Sequence, residues 1–206
     1  MSSVFFFFSF FFETWPQPSH AGAFAFDAPK LYREYNTNLT ALFSTYPGLK
    51  KLFTNSVFPT ATFNCGKHVV TFEHVDNTNV PFGQCAIFAC GSYNPLQGGH
   101  LILFDLGLVI QFPPGSTILV PSGTIRHGNV SIQPHETRQW FTQYCPGGLL
   151  RWVAYRFKPV KSSPEALRRY FEDTHDDRCR NAVGLFSKID ELQRDRQVVF
   201  NLKGSD

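Results

Sequence analysis

The sequence predicts a mainly β protein with flanking helices (α+β), built around a double-stranded β-helix, also called a jelly roll. Short runs rich in Val, Ile, Phe, Tyr and Trp follow one another between residues 67 and 157. Turn-forming sequences separate these runs, among them Tyr93-Asn94-Pro95 and Pro113-Pro114-Gly115. Strands of this length and spacing form a sandwich or a barrel, and the jelly roll is the version with a mouth that can hold a metal ion.

Helices are predicted on both sides of the β region. Residues Ala28–Tyr46 carry apolar side chains at near-helical spacing, so this helix is predicted to brace the barrel. Ser162–Glu165 starts another helix with a serine cap and a proline in the first turn, and Asn181–Val198 is predicted as a terminal helix. Between these helices the predicted strands are Lys67–Phe72, Gln84–Cys90, Leu101–Phe104, Leu108–Phe112, Thr117–Val120, Val130–Ile132, Arg138–Cys145 and Leu149–Phe157.

The length and composition fit one domain with a sizeable core, because the chain has 206 residues and is 43% hydrophobic. Residues 28–160 are predicted to form the barrel with its bracing helix. Residues 161–206 are predicted to form a helical extension. Residues 1–27 are a low-complexity, Phe-rich amino terminus, interpreted as disordered or as an incorrectly assigned start.

The amino-terminal Phe runs, Phe5–Phe8 and Phe10–Phe12, are too short for a transmembrane helix, which needs about 20 apolar residues. No stable membrane association is therefore expected. The runs also fit the core of a signal peptide with Ala21-Gly22-Ala23 as the cleavage site, although no basic residue precedes them. The five cysteines, without a C-x-x-C pair, instead indicate reduced thiols inside the cell.

The formal net charge of +3 permits nucleic-acid binding without indicating it. Residues 1–149 contain seven basic and seven acidic side chains, and the remainder contains twelve basic and nine acidic ones. Arg151, Arg156, Lys158 and Lys161 are candidate phosphate contacts, although each also fits an ordinary solvated residue. The sequence leaves the oligomeric state open.

The one constellation that specifies chemistry is His74-Val75-Asp76 with the later residues His127 and Arg138. In a strand, residues 74 and 76 point to the same side, so both side chains can reach one metal ion. The 50 residues between Asp76 and His127 are enough for several strands to return the chain to the same place. Two imidazoles and one carboxylate occupy one face of a ferrous ion and leave the other three positions open. Taken alone, H-x-D also arises by chance, and a lone histidine is more often a core residue than a ligand.

The stretch from Ala28 to Phe157 resembles the fungal branch of the TET/JBP-type iron and 2-oxoglutarate dioxygenases. Several ordered motifs carry this resemblance and together are more specific than H-x-D alone. They are His74-Val75-Asp76-Asn77-Thr78-Asn79, Gly98-Gly99-His100-Leu101-Ile102-Leu103, Phe112–Ile118, Arg126-His127-Gly128-Asn129, Glu136-Thr137-Arg138 and Gly147–Trp152.

The resemblance implies a ligand set and a co-substrate site. His74, Asp76 and His127 would bind Fe²⁺, and Arg138 would bind the distal carboxylate of 2-oxoglutarate, which is consumed together with O₂. A buried guanidinium suits this task because it grips a carboxylate in bidentate fashion. His100 would approach the co-substrate from a neighbouring strand, although a structural or exposed histidine also fits that position.

The resemblance further implies contact between Asn79 and an extruded base. An amide offers both a donor and an acceptor to a Watson–Crick edge, although an ordinary loop asparagine fits equally well. One departure from the family pattern concerns Trp140, which stands where a serine usually follows the arginine by two residues. The change removes one hydrogen bond to the co-substrate.

The function implied by the resemblance is oxidation of the methyl group of 5-methylcytosine, or of a related 5-methylpyrimidine, in DNA. DNA would be the partner, and a nuclear location is expected unless the Phe-rich start is a true signal peptide. Two alternatives stay open. One is a hydroxylase of a peptide or small molecule on the same fold, and the other is a catalytically inert, transposon-derived jelly-roll module.

Overall fold

Eight short strands form two antiparallel sheets in a computed structural model of the chain, which describes residues 10–12 and 19–201. The strands are β1 Phe10–Phe12, β2 Thr60–Asn64, β3 Cys85–Ser92, β4 Leu101–Leu103, β5 Leu108–Ile110, β6 Ser116–Val120, β7 His127–Asn129 and β8 Thr137–Tyr144. The larger sheet has the order β1-β6-β3-β8-β2, and the smaller sheet has the order β5-β4-β7. Every pair of neighbouring strands is antiparallel.

Side chains from both sheets meet in one buried cluster, so the two sheets face each other. In β3, alternate residues supply this cluster, as the period of two in a strand requires. Its buried members are Cys85, Ile87, Ala89, Leu101, Leu103, Phe112, Ile118, Val120, Ile125 and Trp140. Ala86 and Leu119 point to the other face of the larger sheet and join a second buried cluster with the helices. The molecule therefore has three layers, which are the helices, the larger sheet and the smaller sheet.

The helices are α1 Ser19–Asp27, α2 Pro29–Thr45, α3 Gly147–Ala154, α4 Glu165–Asp173, α5 His175–Gly184 and α6 Ile189–Asn201. The helix α2 buries Leu31, Tyr35, Leu39 and Leu42, which lie on one face because of their near-helical spacing. Lys30 ties α2 to α6 through Glu191, at 2.9 Å between Nζ and Oε2. None of the helices within residues 19–201 is both long and apolar enough to cross a bilayer.

Five predicted strands are confirmed with small shifts in their bounds and correspond to β3, β4, β5, β6 and β8. The helix predicted over Ala28–Tyr46 is confirmed as α2. The strand predicted at Val130–Ile132 is wrong, because β7 lies just before it at His127–Asn129 and pairs with β4. The strand predicted at Lys67–Phe72 does not form a regular strand. This segment pairs with β8 through one isolated bridge, between His68 and Arg138.

The strand predicted at Leu149–Phe157 is also wrong, because this segment begins with α3. Its apolar residues favoured a strand by type, but their spacing is helical. Four of them pack against the second buried cluster, namely Leu149, Leu150, Trp152 and Val153. The terminal helix predicted at Asn181–Val198 is two helices, and α5 ends at Gly184, as glycine commonly ends helices.

The predicted division of the chain at residues 28 and 161 stays a prediction. Residues 1–9 and 13–18 of the Phe-rich amino terminus lie outside the described residues. Within that region the structure has β1 and α1, neither of which was predicted. Phe24 of α1 is fully buried, and its ring lies 5.2 Å from those of Tyr35 and Phe58. The helix α1 is therefore part of the helical layer.

Candidate metal centre

The two histidines of the predicted ligand set face each other as a hydrogen-bonded backbone pair. The amide of His74 donates to the carbonyl of His127 at 3.0 Å, and the amide of His127 donates to the carbonyl of His74 at 2.9 Å. This antiparallel bridge places both side chains on one side, with the ring centroids 4.2 Å apart. The backbone itself therefore fixes the distance between the two imidazoles.

The Nε2 atoms of both imidazoles are available to bind a metal ion, because the Nδ1 atoms are hydrogen-bonded to the backbone. His74 Nδ1 lies 2.8 Å from the carbonyl oxygen of Phe72, and His127 Nδ1 lies 3.0 Å from that of Ile125. Since a carbonyl oxygen only accepts, each Nδ1 must carry the proton. In the neutral rings, each Nε2 therefore keeps a lone pair for a metal ion.

Asp76 completes the set. Its Oδ1 lies 3.4 Å from His74 Nε2, and the ligand atoms of His74, Asp76 and His127 all lie within 4.8 Å of one another. Within residues 10–12 and 19–201 no other group of three such side chains converges. Two imidazoles and one carboxylate at this spacing fit a ferrous ion bound on one face. The structure thus brings the three predicted ligand side chains together as a possible metal site, and their role as iron ligands stays a prediction.

The electrostatics favour a neutral His127. Burial lowers the pKa of His127 and is the largest influence, the hydrogen bond with the Ile125 carbonyl raises it by less, and smaller effects of His74 and Asp76 lower and raise it, respectively. A neutral imidazole is the form that binds metal. The site therefore holds His127 in its ligating form at neutral pH.

Asn79 lies beside the triad and contacts Asp76 directly. Its Nδ2 donates to Asp76 Oδ2 at 3.1 Å and to Ser122 Oγ at 3.1 Å. An amide nitrogen has two hydrogens, so both are used inside the protein. The predicted contact between Asn79 and a base stays a prediction. Only the side-chain carbonyl oxygen of Asn79 is left to make that contact, because neither amide hydrogen is available to donate to a base.

The triad and Asn79 line one cavity of about 240 Å³ at the opening between the sheets. Strands β2 and β8 contribute the opposite wall through Thr62, Asn64, Trp140, Thr142 and Tyr144. His100 and Arg138 are absent from the lining. Their predicted co-substrate contacts stay predictions, and the structure does not bring either side chain to the cavity surface.

Arg138 is fully buried below this cavity, on the same face of β8 as Trp140. The Trp140 ring lies over the guanidinium, 3.9 Å from its central carbon, and the Tyr93 ring lies 5.2 Å away. Burial lowers the pKa of Arg138 to about 10, so it is still a cation at neutral pH. Since Trp140 lines the cavity and Arg138 does not, the indole separates the guanidinium from the cavity.

The donors around Arg138 suit an anion even though the indole covers them. Arg138 Nε and Nη2, and Trp140 Nε1, are buried without a hydrogen-bond partner among the described residues. Arg138 Nη1 donates to the carbonyl of Val130 at 3.4 Å, and the guanidinium also makes a hydrogen bond with the Tyr93 side chain. A buried cation with unused donors fits a carboxylate in chemistry, whereas access requires the Trp140 side chain to move.

Three residues of the site were not singled out from the sequence. Ser122, in the turn that follows β6, is buried and accepts from Asn79. Asn129 accepts from the Thr71 amide at 2.7 Å and so holds the extended segment that leads to His74. At Gly128 a Cβ atom would lie 2.9 Å from the Thr71 carbonyl oxygen, so this close approach requires glycine. Only the H-G-N sequence after Arg126 hinted at the last two.

No family model matches the chain, and no curated protein matches its sequence. Among solved structures, it is similar to NgTET1 in complex with 5mC DNA, at 15% identity and a TM-score of 0.41 over 62% of this chain. It is also similar to the viral collagen prolyl hydroxylase vCPH from Paramecium Bursaria Chlorella virus-1 in its 2OG complex, at 10% identity and a TM-score of 0.33. That match covers 66% of this chain and 93% of the hydroxylase. The chain spans 52% of the NgTET1 chain that it matches.

Proposed function

We propose that the chain is an Fe(II)/2-oxoglutarate-dependent dioxygenase of the TET/JBP type with a jelly-roll barrel. The observation that carries the proposal is the convergence of His74, Asp76 and His127 within 4.8 Å, with both Nδ1 atoms already bound to backbone carbonyls. Such a ligand set leaves coordination positions open for a co-substrate and O₂. When bound, iron and 2-oxoglutarate supply the oxidising power, and the protein supplies orientation and a sheltered cavity.

The proposed substrate is the methyl group of 5-methylcytosine in DNA, reached by extruding the base from the duplex. Asn79 favours cytosine as the substrate base. The side-chain carbonyl oxygen of Asn79 is a hydrogen-bond acceptor, and cytosine offers an exocyclic amine as the donor. Thymine offers a carbonyl oxygen at that position, which Asn79 does not satisfy. The phosphate contacts proposed for Arg151, Arg156, Lys158 and Lys161, and a nuclear location, follow from the same proposal.

Arg138 is proposed to hold the distal carboxylate of 2-oxoglutarate once the Trp140 indole has turned away. Its unused Nε and Nη2 donors then gain an acceptor, which offsets the cost of burying them. The covered position of Arg138 also favours one alternative, a metal-binding module that does not turn over 2-oxoglutarate.

The test is incubation of the purified protein with Fe²⁺, 2-oxoglutarate, O₂ and DNA that contains 5-methylcytosine. The expected products are succinate and 5-hydroxymethylcytosine, and His127→Ala is expected to yield neither. Succinate without DNA oxidation would indicate a different hydroxylase substrate. Bound iron without any succinate would indicate the metal-binding module that does not turn over 2-oxoglutarate, and the absence of both bound iron and succinate would indicate the inert module.

A further inference from the structure

We infer that Asn79 and Ser122 position the carboxylate of Asp76, so that one of its oxygens is held inside the protein and the other faces the metal. The inference rests on the proposed metal centre. It assigns Asn79 a role toward the metal ligand, in addition to any role toward a substrate.

The two oxygens of Asp76 have different surroundings. Oδ2 accepts from Asn79 Nδ2 at 3.1 Å, whereas Oδ1 lies 3.4 Å from His74 Nε2, on the side of the other ligands. A hydrogen bond to a carboxylate is stronger than one between neutral groups. Rotation about the last bond of the Asp76 side chain would break it, so the carboxylate is held with Oδ1 toward the metal position.

Asn79 is itself held in place by Ser122. Its second amide hydrogen points to Ser122 Oγ at 3.1 Å, and Ser122 is 1% exposed. The Cys85 thiol also makes a hydrogen bond with the Ser122 side chain. Since Asn79 is only 9% exposed, solvent offers little competition for these contacts. The amide can adopt one orientation, with its nitrogen toward Asp76.

Backbone contacts fix the same three residues relative to one another. The amide of Asp76 donates to the carbonyl of Ser122 at 2.9 Å, and the amide of Asn79 donates to the carbonyl of Asp76 at 2.9 Å. The next residue, Val80, donates to the carbonyl of Cys145 at 3.0 Å and so joins the loop to the end of β8. The loop of residues 76–79 is therefore anchored from two directions, and the side-chain contacts act on a rigid frame.

Loss of the Asn79 or Ser122 side chain is expected to lower the metal affinity of the chain even when no substrate is present. Removing an indirect partner of a metal ligand commonly lowers affinity by about 10- to 100-fold. Asn79→Ala is expected to fall in this range, and Ser122→Ala to lose less, since it loosens Asn79 without removing it. The double variant is expected to be no weaker than Asn79→Ala alone, because both changes act through one contact with Asp76.

The experiment measures Mn²⁺ affinity of the full chain in the absence of DNA and 2-oxoglutarate, together with the visible spectrum of the Co²⁺-loaded protein. Asn77→Ala is the matched control, because Asn77 is an exposed asparagine two residues away. A Co²⁺ spectrum that is shifted in Asn79→Ala and unshifted in Asn77→Ala supports a positioning role for Asn79. A purely structural role would not shift the spectrum of the bound ion. Thermal unfolding without metal checks that each variant is folded.

The outcomes separate this inference from the proposed function. If the wild-type chain binds Mn²⁺ and Asn79→Ala and Ser122→Ala bind it equally well, the inference is overturned and the metal centre stands. If the wild-type chain does not bind Mn²⁺ or Co²⁺, the proposed metal centre fails, and the positioning role fails with it.

Discussion

The two ends of the candidate site differ in how completely their polar atoms are paired. At the metal end, both imidazole Nδ1 atoms, one oxygen of Asp76 and the amide nitrogen of Asn79 all have partners in the protein. At the arginine end, Arg138 Nε and Nη2 and Trp140 Nε1 have none among the described residues. The polar atoms of the metal end are thus in place before any ion binds, whereas these three donors of the arginine end lack an acceptor.

The difference has an energetic meaning. A buried donor without a partner costs about 1–3 kcal/mol, and a charged donor costs more. A fold retains such a cost where an external group relieves it or where the surrounding packing compensates, as the rings over Arg138 do in part. The unpaired donors of the arginine end therefore fit the proposed co-substrate site in a covered state, and the paired atoms of the metal end fit the proposed metal site in a preformed state.

His127→Ala tests the metal end and has the largest expected effect. Removing one of three ligands is expected to weaken Mn²⁺ binding by more than about 100-fold, beyond the loss typical for an indirect partner. Titration calorimetry measures the affinity directly. His100→Ala is the matched control, because His100 does not line the cavity, and its affinity is expected to equal that of the wild type. If His127→Ala kept the metal affinity of the wild type, the proposed metal centre at His74, Asp76 and His127 would be wrong.

Trp140→Ser tests the cover over the arginine end. Deleting a buried indole is expected to lower the free energy of unfolding by about 3–5 kcal/mol. The change also opens the cavity to Arg138 and adds a hydroxyl, so 2-oxoglutarate is expected to bind the Mn²⁺-loaded protein about tenfold tighter, or about 1.4 kcal/mol. Calorimetry of 2-oxoglutarate binding measures this gain.

The control for this prediction is Trp140→Phe, which keeps an aromatic ring over the guanidinium. It is expected to bind 2-oxoglutarate as the wild type does, and to remain folded if the serine variant does not. Tighter binding by the phenylalanine variant, or weaker binding by a folded serine variant, would show that the indole does not cover the co-substrate site.

Arg138→Met asks whether the buried cation serves stability or ligand binding. Replacing a buried charged side chain by an apolar one of similar length is often neutral or stabilising by about 1–4 kcal/mol. Without ligand, we expect a gain near the lower end of this range, because two of the guanidinium donors have no partner to lose. Urea unfolding measures the change. A clear loss of stability would instead assign Arg138 a structural role within its ring of aromatic side chains.

The ligand set of the metal end could be predicted from the sequence because several ordered motifs mark it. The spacing of His74 and Asp76 was compatible with one metal ion, and the later motifs, including the one around His127, made the prediction specific. The helical segment at Gly147–Ala154 shows the limit of residue type as a guide, because bulky apolar residues favoured a strand where the spacing favoured a helix. Composition without periodicity was misleading there.

The contacts that orient the ligands could not be predicted, because they join distant parts of the chain. Asn79 and Ser122 are 43 positions apart, and only the fold shows that both hydrogens of the amide are used. Likewise, the sequence shows that Trp140 follows Arg138 by two residues. It does not show that the indole lies over Arg138 rather than beside it.

The smallest predicted effect concerns pH and the metal end. Burial lowers the pKa of His127 in the folded chain, so below the ordinary value of about 6.5 the unfolded chain takes up a proton that the folded chain resists. The stabilising contribution of neutral His127 is therefore fully present above pH 6.5 and is lost as pH falls toward the folded pKa. His127→Gln removes this titration. The difference in unfolding free energy between the metal-free wild type and His127→Gln is expected to rise between pH 5 and pH 7, with a slope of at most about 1.4 kcal/mol per pH unit. A difference that stays constant over this range would mean that His127 is as readily protonated in the folded chain as in the unfolded one, and that protons compete with the metal there as they do at an exposed histidine.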